Sequence, residues 1–88
     1  MKLIFCPECF DVVKLSFEIR SCQCRKARGK YLEDGLHSQV SPNAIVLGID
    51  NNTFADAIRN PRRKVAKKGI GFFAFVIPDK GKNVRRDL

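Results

Sequence analysis

Four cysteines lie in two close pairs, Cys6 with Cys9 and Cys22 with Cys24, and twelve residues separate the pairs. This C-x2-C-x12-C-x-C spacing is typical of two tight turns that bring four thiolates to one point. Four thiolates saturate a tetrahedral zinc ion and leave it no open position. The sequence therefore predicts one structural Zn²⁺, bound by Cys6, Cys9, Cys22 and Cys24.

Other uses of the four cysteines are weaker. Four cysteine sulfurs also bind a single iron or an iron–sulfur cluster, so iron remains the second option for the metal. A redox dithiol normally begins a helix beside a βαβ unit, whereas here the strand-like residues 2–5 precede the first pair. Disulfides need an oxidising compartment. We expect the chain to have no export signal and to stay in the cytoplasm, so disulfides are not favoured.

The first cysteine pair carries a resemblance to a known superfamily. Cys6, Pro7 and Cys9 resemble the rubredoxin-like knuckles of zinc ribbons, whose form is Cys-Pro-x-Cys-Gly. Phe10 and Arg25 stand where the two knuckles would have glycine. A wider pattern looks like that of small uncharacterised bacterial and phage zinc-ribbon proteins; it adds Asp11, Arg20, Gly29, Tyr31 and Leu47-Gly48. The resemblance implies a zinc ribbon over residues 1–30 and brings no known activity with it.

Positive charge is concentrated near the C-terminus. Residues 61–88 hold nine lysines and arginines against two aspartates, a net charge of +7 out of +8 for the whole chain. Clustered cations bind phosphates with release of condensed counterions. The alternative is a solvated linker whose charges flank an aggregation-prone strand. The predicted nucleic-acid-binding residues form a basic segment, which consists of Arg59, Arg62, Arg63, Lys64, Lys67 and Lys68.

An aromatic run follows the basic segment. Residues 68–75, Lys-Gly-Ile-Gly-Phe-Phe-Ala-Phe, resemble the RNP1 motif of RNA-recognition and cold-shock domains, in which strand aromatics stack on bases. Ile70 replaces a stacking aromatic and Phe73 replaces a valine. The sequence therefore favours core packing for this run, with Phe73, Phe75 and Ile77 against the helix face of Phe54 and Ile58. Dimerisation through residues 72–77 is the other use of such a strand.

The length of 88 residues and the periodicity predict one small β-rich α+β domain with an N-terminal zinc ribbon, an antiparallel sheet and one short helix. Asp34-Gly35 favours a hairpin turn between the strands at 30–33 and 36–40. A buried strand is expected at 44–49 and another at 69–78. Thr53 with Asp56 resembles a capping box, and Asn60-Pro61 ends the helix. The single domain 1–88 thus divides into a ribbon at 1–30, a sheet at 31–78 with its helix at 53–60, and a frayed polar tail at 79–88.

Little in the composition supports catalysis. His37 is the only histidine and has no assignable acid or nucleophile beside it, and the four thiols are assigned to the metal. No run of about 20 apolar residues is present, so no membrane segment is expected. The sequence predicts a non-catalytic zinc-binding module, a small regulator that binds nucleic acid non-specifically. The alternative is a small interaction or inhibitor protein that docks on an acidic surface of a host protein. The resemblance above implies that such a protein would be encoded by a phage.

Overall fold

Eight short strands, one α-helix and one 3-10 helix make up the fold in the computed structural model, which describes residues 1–88. The elements in chain order are β1 (Lys2–Phe5), β2 (Val12–Lys14), β3 (Arg20–Ser21), β4 (Arg28–Tyr31), β5 (Ser38–Val40), β6 (Ile45–Ile49), α1 (Asn51–Arg59), the 3-10 helix (Pro61–Lys64), β7 (Ala74–Val76) and β8 (Val84–Arg85). The nine-residue helix is too short to cross a membrane, and no other helix is long and apolar enough to do so.

The strands form two sheets of four. The first has the order β2-β1-β6-β7 and is antiparallel throughout; the second has the order β3-β4-β5-β8, in which only the β5–β8 pair is parallel. The expected class, a small β-rich α+β domain with one short helix, is confirmed. After β2, the chain forms β3, β4 and β5 of the second sheet and then returns to the first sheet with β6.

The hydrophobic core lies between the two sheets. Ile4 and Val46 of the first sheet and Val40 and Val84 of the second belong to one buried cluster. Only 15 of the 88 residues are buried, so this core contributes little free energy and a covalent or metal cross-link has much to add. The cysteines Cys6 and Cys22 are part of the same cluster, which places the metal-ligand candidates at the end of the core.

The helix begins two residues before the predicted start. Its N-cap is Asp50, whose carboxylate accepts a hydrogen bond from the Thr53 N–H at 3.1 Å, so Thr53 lies within the first turn. The helix ends as expected at Asn60, before Pro61. Asn60 also caps the following 3-10 helix by accepting from the Arg62 N–H at 2.9 Å.

The predicted hairpin is present as the antiparallel pair β4–β5, but its connection is longer than two residues. The Leu32 N–H donates to the His37 carbonyl at 2.8 Å and closes the loop. Inside it, the Asp34 carboxylate accepts hydrogen bonds from the Leu36 and His37 N–H groups. Gly35 is the one residue of the loop that needs a positive φ, 68°.

The aromatic run corrects the sequence-based expectation. A strand at 69–78 buried on both faces was predicted, whereas β7 has three residues, all exposed, and lies at the edge of the first sheet. Phe73 and Phe75 do not pack on the helix: their rings stack on each other, and Ile58 remains 54 % exposed. The Phe72 ring meets the helix in an edge-to-face contact with Phe54 at 4.9 Å.

The C-terminal residues also differ from the frayed tail that was expected. Val84 is buried and β8 pairs in parallel with β5. The Arg86 guanidinium donates to the Ala44 carbonyl at 2.7 Å, and the Leu88 N–H donates to the Val40 carbonyl at 3.1 Å. The tail therefore completes the second sheet and closes one end of the core.

Candidate metal centre

The two cysteine turns have the same backbone frame. In the first, the Cys6 N–H donates to the Asp11 carbonyl at 3.0 Å; in the second, the Cys22 N–H donates to the Ala27 carbonyl at 2.9 Å. Each frame spans six residues and begins at a cysteine. The C-x-C pair thus fits the same outer loop as the C-x2-C pair, although it has one residue fewer between its sulfurs.

Phe10 and Arg25 adopt the backbone conformation that the expected glycines would have. Their φ angles are 60° and 66°, and they are the only non-glycine residues with positive φ. The Phe10 N–H donates to the Cys6 carbonyl at 2.8 Å, and the Arg25 N–H donates to the Cys22 carbonyl at 3.0 Å. The replacement of glycine therefore leaves both turns intact, at the steric cost of a side chain in the left-handed region.

The four sulfurs meet at one point. All four Sγ atoms lie within 4.8 Å of one another. The Cys6–Cys24 and Cys22–Cys24 separations are 3.6 and 3.4 Å, and a tetrahedral site with Zn–S bonds of about 2.3 Å has sulfurs about 3.8 Å apart. These separations far exceed the S–S length of a disulfide bond, which is about 2.05 Å. All four cysteines are therefore free thiols. The arrangement is compatible with a single four-coordinate metal ion.

Hydrogen bonds from the backbone hold the sulfurs and the two turns. The Ala27 N–H donates to the Cys22 Sγ at 3.4 Å, which favours the thiolate. The Gln23 N–H, between the two cysteines of the second turn, donates to the Asp11 carboxylate at 2.9 Å. Asp11 thereby fastens the second turn to the end of the first. In the sequence, Asp11 stands out only as part of the wider pattern, because its role depends on the two turns being adjacent in space.

The thiols influence one another's ionisation. Burial raises the pKa of the Cys22 thiol, but the Ala27 N–H and the neighbouring sulfurs outweigh it and lower that pKa to about 6. The Lys26 N–H favours the Cys24 thiolate, yet burial and the other three sulfurs together raise its pKa to about 12. Without a cation, the cluster therefore cannot hold four negative charges near neutral pH. A divalent metal supplies the charge that allows all four to be thiolates.

The basic segment lies away from the core, in one continuous stretch of chain. It starts at Arg59 in the last turn of α1, continues through the 3-10 helix and ends in the loop at Lys68. All six of its cations are exposed, and none forms a salt bridge. His37, by contrast, pairs with Asp34 in the hairpin loop.

One apolar surface was not foreseen. Because paired residues of neighbouring strands share a face, Leu3, Leu47 and Val76 lie together on the side of the first sheet opposite the core residue Ile4. This outer face consists of Leu3, Phe5, Val12, Ile45, Leu47, Ile49 and Val76. Val12 is 50 % and Val76 64 % exposed, and Phe10 extends the face by its ring contact with Phe5 at 5.3 Å. The signal in the sequence was the unbroken apolar character of β6, which indicates apolar residues on both faces.

Comparison with known proteins adds no relative: no family model, no curated protein and no solved structure matches the chain. A cluster of four cysteines does not by itself assign the chain to the zinc ribbons.

Proposed function

We propose that this protein is a non-catalytic module with one structural zinc ion and that it binds nucleic acid through the basic segment. A tetrahedral four-sulfur zinc site fits these separations, and such a site leaves no position for a reactive water. Its ligands must remain reduced, which fits a cytoplasmic protein. The zinc joins the two turns and thereby stabilises a fold whose own core is small.

The observation that carries the nucleic-acid proposal is the state of the six cations. All six are exposed and free of acidic partners, and they lie within ten residues of the chain. Three of them, Arg62, Arg63 and Lys64, are consecutive in the 3-10 helix. Phosphates supply the missing negative charge, and arginine matches their oxygens with two parallel N–H donors. The contacts carry no sequence information, so binding is non-specific.

The test is a salt titration of duplex binding. Replacement of Arg62, Arg63 and Lys64 by alanine should weaken binding to all sequences equally and flatten the log–log salt slope by about 2–3, since each phosphate contact contributes about 0.9. The variant K14A/R20A/K80A removes the same charge from exposed sites outside the segment. It should keep most of the slope. Equal losses of affinity and of salt slope in the two variants would show that binding depends on net charge alone and not on the basic segment. Absence of nucleic-acid binding by the wild type would refute the proposal.

A second candidate function, a docking module for another protein, is favoured by the outer face. Its exposed valines at positions 12 and 76 form part of an apolar surface that soluble proteins tend to cover. The open edge of β7 lies beside it and offers free backbone groups for another strand, including that of a second copy. Affinity capture with and without nuclease separates the candidates. A partner retained after nuclease and lost in Val76→Asp, but not in the triple alanine variant, would support docking.

A further inference from the structure

Two exposed phenyl rings lie side by side at the start of β7. The ring centroids of Phe73 and Phe75 are 5.5 Å apart with an interplanar angle of 26°, and the side chains are 60 % and 43 % exposed. An offset stack of this kind is a favourable pairing for aromatic rings. It also leaves a broad apolar and π-rich surface in contact with water, and the core does not use it.

The backbone around the rings is held in place. The Phe73 carbonyl accepts from the Asp50 N–H at 2.9 Å, and the Phe73 N–H donates to Thr53 Oγ1 at 2.9 Å. The tip of the Phe75 ring lies over Gly48, where an added Cβ would come within 2.5 Å of the ring. The N-terminus of the helix and the neighbouring strand thus orient the pair before any ligand arrives, which lowers the entropic cost of binding.

Cations lie near the ring pair, some of them in sequence and others in space. Along the chain, Lys67 and Lys68 precede it by five or six residues. In space, Phe75 lines a cleft of about 300 Å³ whose wall also includes Lys2, Lys82 and Asn83. That volume is at the small end of the range for small-ligand sites, roughly 300–1,000 Å³. Lys2 Nζ donates to the Leu36 and Asn83 carbonyls at 2.6 and 3.4 Å, so Lys82 is the lysine of this cleft that is left to meet a phosphate beside the Phe75 ring.

We propose that Phe73 and Phe75 form a stacking platform for unpaired bases, so that the preferred ligand is single-stranded nucleic acid. This inference depends on the proposed function, since the basic segment must hold the phosphates. A ring platform stacks with any base whose face is free, whereas the bases of a duplex already stack on each other. The platform thus adds affinity for single strands alone. It reads no sequence, and none of the groups named here distinguishes ribose from deoxyribose.

The experiment compares dye-labelled oligo(dT), oligo(U) and a duplex of equal length by fluorescence anisotropy, with zinc-loaded full-length protein. Phe73→Ala should weaken binding of both single strands by roughly 5- to 150-fold, the range for loss of one stacked base, and leave duplex binding unchanged. Phe73→Leu, which keeps apolar bulk without a ring, should have an effect in the same direction. Phe73→Tyr should bind like the wild type. Val76→Ala is the matched control, because this exposed side chain lies on the opposite face of β7.

The outcomes separate the two proposals. If the wild type binds the duplex as tightly as the single strands and neither Phe73→Ala nor Phe73→Leu changes any affinity, the platform is refuted while the basic segment keeps its role. If the wild type binds none of the three probes, the proposed function fails and the platform fails with it. A Val76→Ala loss equal to that of Phe73→Ala would also refute the platform, because the effect would then not depend on the ring.

Discussion

The Asp11 carboxylate accepts a hydrogen bond from the Gln23 N–H at 2.9 Å and so joins the two cysteine turns across twelve residues of sequence. Asp11 binds no metal in this arrangement, but it fixes the position of the second pair of sulfurs relative to the first. The same residue also closes the frame of the first turn through its carbonyl, which accepts from the Cys6 N–H. The relative placement of the sulfurs thus depends on a residue outside the ligand set.

Asp11→Ala should weaken zinc binding by about 10- to 100-fold, the usual cost of losing a group that orients metal ligands. Competition with a chelator of known affinity measures this. Glu18→Ala is the control, because Glu18 is exposed and carries the same charge, and its side chain bonds to neither turn. Equal weakening in both variants would show that zinc affinity depends on the negative charge and not on the hydrogen bond between Asp11 and Gln23.

Arg25→Gly should leave the free energy of unfolding unchanged or raise it by up to about 1 kcal/mol. The φ of Arg25 is 66°, a region costly for a residue with a Cβ and free for glycine. Lys26→Gly removes the same charge one residue later, where φ is not positive, and should destabilise the protein. Urea unfolding of the zinc-loaded proteins compares them, and a larger loss for Arg25→Gly than for Lys26→Gly would contradict the turn geometry.

Gly48→Ala should destabilise the protein by about 1–3 kcal/mol, as overpacking does, because the new Cβ would collide with the Phe75 ring. In the double variant Gly48→Ala/Phe75→Ala the collision is absent, so the two effects should not add. Gly71→Ala is the control, since no atom lies within 4 Å of its added Cβ. Additive losses in the double-mutant cycle would contradict the contact between Gly48 and Phe75.

Asp34 should contribute an acid-dependent stability. The His37 N–H and side chain, together with the Leu36 N–H, lower the pKa of Asp34 from 3.8 to about 2. The folded protein therefore binds this proton less readily than the unfolded chain, so the stabilisation is complete above pH 3.8 and is lost as the pH falls through 2. The difference in unfolding free energy between wild type and D34N should shrink as the pH falls from about 3.8 towards 2. A difference that grows in acid would have the wrong sign.

Local sequence signals predicted much of this structure. The cysteine pairs, the β4–β5 hairpin, the β6 strand and the end of the helix at Asn60 each depend on residues close together in the chain. The helix start was misplaced because Asp50 and Thr53 are both good N-caps, and the sequence does not show which one is outside the helix.

The remaining features depend on long-range placement. The run of apolar residues around Phe75 indicated a buried strand, but β7 pairs on one side only and remains at the sheet edge. The pairing of β8 with β5 joins residues more than forty positions apart and has no local signature. Phe10 and Arg25 show that the turn geometry tolerates a side chain where glycine is usual, which the residue types alone do not indicate.

The metal content of the purified protein tests the central claim most directly. Protein isolated without added metal should contain one zinc per chain by elemental analysis, and Cys9→Ser should lose it, because the four sulfurs lie within 4.8 Å of one another and form one site. Chelation should then unfold at least residues 1–30, since structural zinc contributes about 10–16 kcal/mol in peptide systems, comparable with the whole stability of a small domain. Iron in place of zinc, or a folded wild-type protein with four free thiols and no metal, would contradict the account.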